Sequence, residues 1–209
     1  MEAQEQSPTS DAPPPYEQQR DVELRLEAFR ASGFGARHMG RRARELMGKS
    51  HQQQWAEALA KADRCIEGGG ILLLLGDRGT GKTQLACELT RKLCREANIV
   101  RDFYDYGGVP SIARYARIDE VGMEVREVYQ TKQRTEKQAV MRFISPQLLV
   151  IDECQELPDR EWERRLLSTI IDRRYAQTKP TVLIANTAPD AVLYLFGPSV
   201  VDRIKEGFH

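Results

Sequence analysis

No run of apolar residues approaches the ~20 needed to span a bilayer, and the acidic, Gln-rich amino terminus lacks the pattern of a signal peptide. A membrane protein is therefore not expected; a soluble, cytoplasmic one is. An excess of charge of one sign is also missing. Lys plus Arg and Asp plus Glu each total 31, so the formal net charge is zero and no global field draws in a polyanion. Any nucleic-acid contact must come from a local patch. Cysteine is scarce. Cys65, Cys87, Cys94 and Cys154 show no C-x-x-C spacing, which argues against a disulfide framework or a cysteine metal site and for a reduced protein. With 209 residues there is room for one α/β domain with extensions, not for two large ones.

What the chain does have is concentrated in residues 71–83, ILLLLGDRGTGKT, where five apolar residues run into a glycine-rich turn ending in Lys-Thr. That is the pattern of a buried strand feeding a phosphate cradle. Gly76, Asp77, Arg78, Gly79, Thr80, Gly81, Lys82 and Thr83 satisfy G-x-x-x-x-G-K-[ST]. The glycines let backbone N–H groups approach phosphate oxygens. Lys82 is placed for the β- and γ-phosphates of a nucleoside triphosphate, and the Thr83 hydroxyl for one coordination place on Mg²⁺. Residues 84–97, with Leu85, Leu89 and Leu93 at helical spacing, supply the helix whose N-terminal dipole faces the anion. A chance match lacks that strand-before, helix-after context.

Residues 1–20 are poor in large apolar side chains and read as a disordered tail, with 13–16 a stiff proline-rich linker. Residues 21–49 form a helical and basic extension: an amphipathic helix over 21–31, then Arg37, His38, Arg41, Arg42 and Arg44, either a contact for phosphates such as those of single-stranded DNA or a solvated helix face. The ATPase-like domain occupies 50–209. It opens with a helix carrying a Ser50/Gln53 capping box and stopped by Gly68–Gly70. Residues 101–111 look like an exposed structural or protein-contact loop. A strand is expected over 113–118, helices over 120–131 and 135–144, a buried strand over 148–153, an amphipathic helix over 159–177 with Arg164, Arg165, Arg173 and Arg174 mostly outward, and a further strand over 180–186.

Ligands of such parallel sheets sit at the carboxyl ends of strands. LLVIDE puts Asp152 where it can hold Mg²⁺ through water and Glu153 where it can polarise a water attacking the γ-phosphate. Asn186 ends the next strand, within reach of the γ-phosphate or that water.

The set GDRGTGKT, LLVIDE, IIDRRY, KPTVLIAN and VVDRIKEG resembles, in order and spacing, the DnaC/IstB-type AAA+ ATPases, from about Ala31 to the end of the chain. The last three motifs are much narrower than the first two. The resemblance implies a three-layer P-loop NTPase of AAA+ type with a mainly parallel sheet and a short N-terminal helical extension. It makes Lys82 and Thr83 the Walker A pair, Asp152 and Glu153 Walker B, Asn186 sensor one, and Arg203 an arginine finger presented to a neighbouring subunit, which implies self-association. It further implies ATP and Mg²⁺ as ligands, and loading of a replicative helicase onto single-stranded DNA. Family members usually continue to a sensor-two arginine beyond the point matching His209, and carry a larger N-terminal region. Rival readings are an IstB-like helper ATPase of transposition and a nucleotide-gated binding module with little hydrolysis. A small-molecule kinase needs neither the Asn186 strand end nor the terminal Asp-Arg.

Overall fold

The computed structural model describes residues 15–41, 49–97, 112–131, 135–157 and 161–206. In chain order these form α1 (Pro15–Ala31), the single turn α2 (Ala36–Met39), α3 (Lys49–Glu67), β1 (Ile71–Leu75), α4 (Lys82–Glu96), β2 (Ala113–Arg117), α5 (Ile118–Thr131), α6 (Glu136–Ile144), β3 (Leu148–Asp152), α7 (Glu161–Ala176), β4 (Thr181–Ala185) and α8 (Val192–Glu206).

The strands lie in the order β1-β4-β3-β2, every neighbouring pair parallel. Parallel strands joined by helices are covered on both faces and therefore read as unbroken apolar runs. Alternate side chains then feed two cores. Leu149, Ile151, Leu183 and Ala185 face α5 to α8 with Val125, Phe143, Ile170 and Val200. Leu148, Val150, Val182 and Ile184 face α1, α3 and α4 with Ala28, Ala62, Leu85 and Leu89. Because Ala28 and Phe34 belong to that second core, the N-terminal extension is packed into the domain.

Several expectations change in detail. Helix α1 starts at Pro15, inside the stretch expected to be disordered, with proline at a first-turn position where its missing N–H costs nothing. The capping box expected at Ser50 and Gln53 lies outside the described side chains; within α3 the Gln53 amide donates to Glu57 at 3.2 Å. A box does close α6, where Thr135 accepts from the Gln138 N–H and the Gln138 side chain accepts from the Thr135 N–H. Residues 1–14, 42–48 with Arg42 and Arg44, and the 101–111 loop lie outside the described residues. None of the four cysteines forms a disulfide, and among the described residues no helix is long and apolar enough to cross a membrane.

The largest correction concerns Arg174, expected mostly outward and found fully buried. Its guanidinium donates to the Thr181 hydroxyl at 2.9 Å and to five carbonyls, of Phe143 (3.2 Å), Ile144 (3.0 Å), Pro146 (2.8 Å), Gln147 (3.2 Å) and Pro180 (2.6 Å). Those carbonyls lie at the end of α6 and at the entries to β3 and β4, so one side chain ties three elements at the sheet edge opposite the strands' carboxyl ends. Burial pushes its pKa down to about 9, which leaves it cationic at neutral pH.

Candidate functional site

The turn after β1 is built for an anion. Gly76, Gly79 and Gly81 take φ of 125°, 82° and 90°, left-handed values that a side chain disfavours. A Cβ at Gly76 or Gly79 would meet no atom within 4 Å; the glycines are there for backbone shape and open space. Helix α4 begins at Lys82 with no side-chain cap, so its first N–H groups and the positive end of its dipole point into the loop. The Lys82 ammonium donates to the carbonyls of Gly76 at 2.7 Å and Asp77 at 2.8 Å, and desolvation lowers its pKa against the opposing pull of Asp152, Asp77 and Glu153.

The carboxyl ends of β3 and β4 complete the site. Thr83 Oγ1 donates to Asp152 Oδ2 at 2.8 Å. Asp152, only 4% exposed, also receives the Tyr115 hydroxyl on Oδ2 at 3.1 Å and the Glu153 N–H on Oδ1 at 2.7 Å. The backbone turns sharply at Glu153, whose φ of 55° is unusual for a residue with a side chain. Its Oε2 accepts from Asn186 Nδ2 at 2.8 Å and from the Gln155 amide, while Gln155 Oε1 accepts the Asn186 N–H at 2.8 Å. Gln155 thus locks the ends of two strands together.

Lys82, Thr83, Asp152, Glu153 and Asn186 line one pocket of about 440 Å³ with Arg37, His38, Arg41, Arg78, Gly79, Gly81 and Gln84. That volume falls within the ~300–1,000 Å³ usual for small-molecule sites. Three residues of the basic cluster therefore face the anion pocket from a strap, residues 32–41, held over α4 by backbone acceptors. The Gln84 amide donates to the carbonyls of His38 at 3.3 Å and Arg41 at 3.0 Å, and Arg91 to that of Met39 at 2.7 Å. The donors fit a nucleoside triphosphate with its ion: cationic and backbone N–H groups surround the loop, and Thr83, Asp152 and Glu153 offer only oxygen, which suits Mg²⁺. Among the described residues no group of three or more His, Cys, Asp or Glu is arranged to hold a metal, so an ion here would draw further ligands from phosphate and water.

Arg203 is not part of this pocket. On α8, which bends at Gly197 (φ 76°) before Pro198, it forms an ion pair with Asp172 at 2.9 Å, donates to the Ser199 carbonyl at 3.0 Å and lies 5.5 Å from the centre of the Tyr175 ring. The IIDRRY motif thus divides its work: Asp172 and Tyr175 receive Arg203, and Arg174 holds the sheet edge. Tyr115 and Gln155 were not among the expected site residues, and Arg37, His38 and Arg41 of the strap were expected to contact phosphates but not to line this pocket. Gln155, two positions beyond Glu153 in a strand-end turn, was the one with a local signal.

A model of the family described as "IstB-like ATP binding protein" matches residues 47–197, a stretch that takes in every pocket residue except those of the strap. The replicative helicase loader DnaC of Escherichia coli (strain K12) is 25% identical over 154 residues, 72% of this chain and 58% of that protein; the chain spans a little over half the length of this relative. Among solved structures, a DnaC helicase loader superposes with TM-score 0.52 at 23% identity, over 69% of this chain and 78% of that one. An AMPPCP-bound DnaA from Aquifex aeolicus gives 0.56 at 19% identity, over 77% and 45%. These likenesses show the fold, a P-loop domain of AAA+ type.

Proposed function

The chain belongs to the IstB-like ATP-binding protein family, and from that membership and the site's geometry we propose that it binds ATP with Mg²⁺, hydrolyses it, and uses the cycle to load a replicative helicase onto single-stranded DNA. The observation that carries the hydrolytic part is the convergence, at the ends of β1, β3 and β4, of Lys82, Thr83, Asp152, Glu153 and Asn186 on one pocket.

Lys82 and the α4 N-terminus hold the β- and γ-phosphates. Thr83 and Asp152 hold the ion, which when bound neutralises charge on the phosphate oxygens. Glu153 Oε1, the oxygen not engaged by Asn186 or Gln155, accepts a proton from the attacking water. Asn186 keeps that carboxylate aimed and offers a donor beside the γ-phosphate. Arg203 acts on a neighbouring subunit. The helicase reading comes from the name of the similar DnaC, a replicative helicase loader. One observation favours a second reading, delivery of DNA to a transposase: the matching family model carries the IstB-like description.

Loading is tested with purified hexameric helicase from the same genome on a circular template coated with single-strand-binding protein. ATP-dependent unwinding that needs this chain and fails with Glu153→Gln supports the loader. ATP-dependent capture of DNA with no effect on the helicase removes that reading and favours the transposition helper.

A further inference from the structure

Tyr115 occupies the middle of β2, an edge strand of the sheet, and reaches the candidate site through Asp152. Its hydroxyl and that of Thr83 both donate to Asp152 Oδ2, at 3.1 and 2.8 Å, while the Glu153 N–H fixes Oδ1. Thr83 has two duties, as ligand to the ion and as donor to Asp152. Tyr115 has only the second.

The strap holds Tyr115 in turn. The Phe34 ring lies against the tyrosine ring with centroids 4.3 Å apart, and the Tyr115 N–H donates to the Ser32 carbonyl at 2.6 Å. Between these two contacts Gly33 takes φ of 96°, and a Cβ there would stand 2.7 Å from the Tyr115 carbonyl oxygen. Only glycine permits so close an approach. The strap then continues over the pocket to Arg37, His38 and Arg41.

Resting on the nucleotide reading above, we infer that Tyr115 is a positioning residue that orients the Asp152 carboxylate toward the nucleotide-bound divalent ion and connects that carboxylate to the N-terminal strap. A carboxylate that holds an ion through water must present its lone pairs in one direction. With Thr83 shared with the ion, the Glu153 N–H on Oδ1 and the Tyr115 hydroxyl on Oδ2 are the two supports that hold it. The contribution of Tyr115 appears only when the ion is bound, because phosphate contacts to Lys82 and the loop do not pass through Asp152.

The test is titration of a fluorescent ATP analogue into the full chain and into Tyr115→Phe, once with Mg²⁺ and once with EDTA. Tyr115→Phe keeps the ring and its contact with Phe34. The variant is expected to match wild type in EDTA within about twofold and to bind roughly tenfold more weakly in Mg²⁺, the worth of one charge-assisted hydrogen bond. Equal losses in both conditions, or none in either, overturn the positioning role. Failure of the wild-type chain to bind the analogue, or to bind it better with Mg²⁺, overturns the nucleotide reading and this inference with it.

Discussion

Replacing Arg203 with alanine is expected to leave nucleotide affinity intact and to remove hydrolysis, and mixing that variant with Lys82→Ala is expected to restore part of it. On the proposed roles, Lys82→Ala subunits would bind no ATP yet still offer a finger, and Arg203→Ala subunits would bind ATP and lack one. The structure sets the competing energy. Arg203 is docked on its own subunit by Asp172, with the two side chains 25% and 42% exposed, an arrangement that solvent holds to about 0.2–1 kcal/mol. The Tyr175 face 5.5 Å away adds about 0.5–1 kcal/mol at a partly exposed site. Together these favour the docked state by at most about 2 kcal/mol, roughly 30-fold. An arginine finger accelerates phosphoryl transfer by roughly 10³ to 10⁵, or about 4–7 kcal/mol of barrier. Docking therefore delays the finger without cancelling it, and Asp172→Asn is expected to raise activity at sub-saturating protein severalfold while leaving the plateau unchanged. The assay is phosphate release by each variant and by the equimolar mixture, with assembly followed by sedimentation. Full activity of Arg203→Ala alone, or no recovery in mixed oligomers, refutes action between subunits.

The remaining predictions concern other parts of the same frame. Arg174→Lys leaves at most three donors for six acceptors and is expected to cost about 3 kcal/mol; thermal unfolding reads this as a drop of about 6–12 °C, and an unchanged midpoint would show that the carbonyls find other partners. Gln155→Ala frees Glu153 from one donor and the Asn186 N–H from its acceptor; nucleotide binding is expected to hold while kcat falls about tenfold, and parallel loss of both would make Gln155 a merely structural brace. Neutralising Arg37 and Arg41 together is expected to weaken ATP-analogue binding by about fivefold or more at low salt, because both line the pocket; a loss confined to labelled oligonucleotide would return the cluster to single-strand binding.

How much was legible in advance follows from how local each feature is. LLLL, LLVI and VLIA are continuous apolar runs because a parallel sheet is covered on both sides, so three strands, and with them the placement of Asp152, Glu153 and Asn186 at strand ends, could be read from such runs, and the strand expected over 113–118 also forms, as β2. The phosphate loop declares itself through glycine spacing. The strap does not, since it is held largely by Gln84 and Arg91 donating to backbone carbonyls, acceptors that every sequence possesses. A basic cluster on paper looks alike whether it faces DNA, solvent or a pocket.

Arg174 is a different case, because a signal was present. It lies four residues after Ile170 and three after Ile171, on the same helical stripe as the buried Leu167. Periodicity therefore pointed inward while side-chain type pointed outward, and the carbonyls turned inward at the end of α6 and the entries to β3 and β4 decided the matter. The Tyr115 contact to Asp152 spans 37 residues and depends on β2 pairing next to β3, a register that no local pattern specifies.

Helicase loading and the action of Arg203 both require that the pocket bounded by Lys82, Asp152, Glu153 and Asn186 bind and hydrolyse ATP. The most direct test of this measures, in the same samples, the nucleotide retained and the phosphate released by wild type, Lys82→Ala and Glu153→Gln in Mg²⁺. Wild type is expected to turn over, Lys82→Ala to retain no nucleotide, and Glu153→Gln to retain ATP while releasing phosphate at least about 100-fold more slowly. Phosphate release from Glu153→Gln at the wild-type rate, or full nucleotide retention by Lys82→Ala, would contradict it.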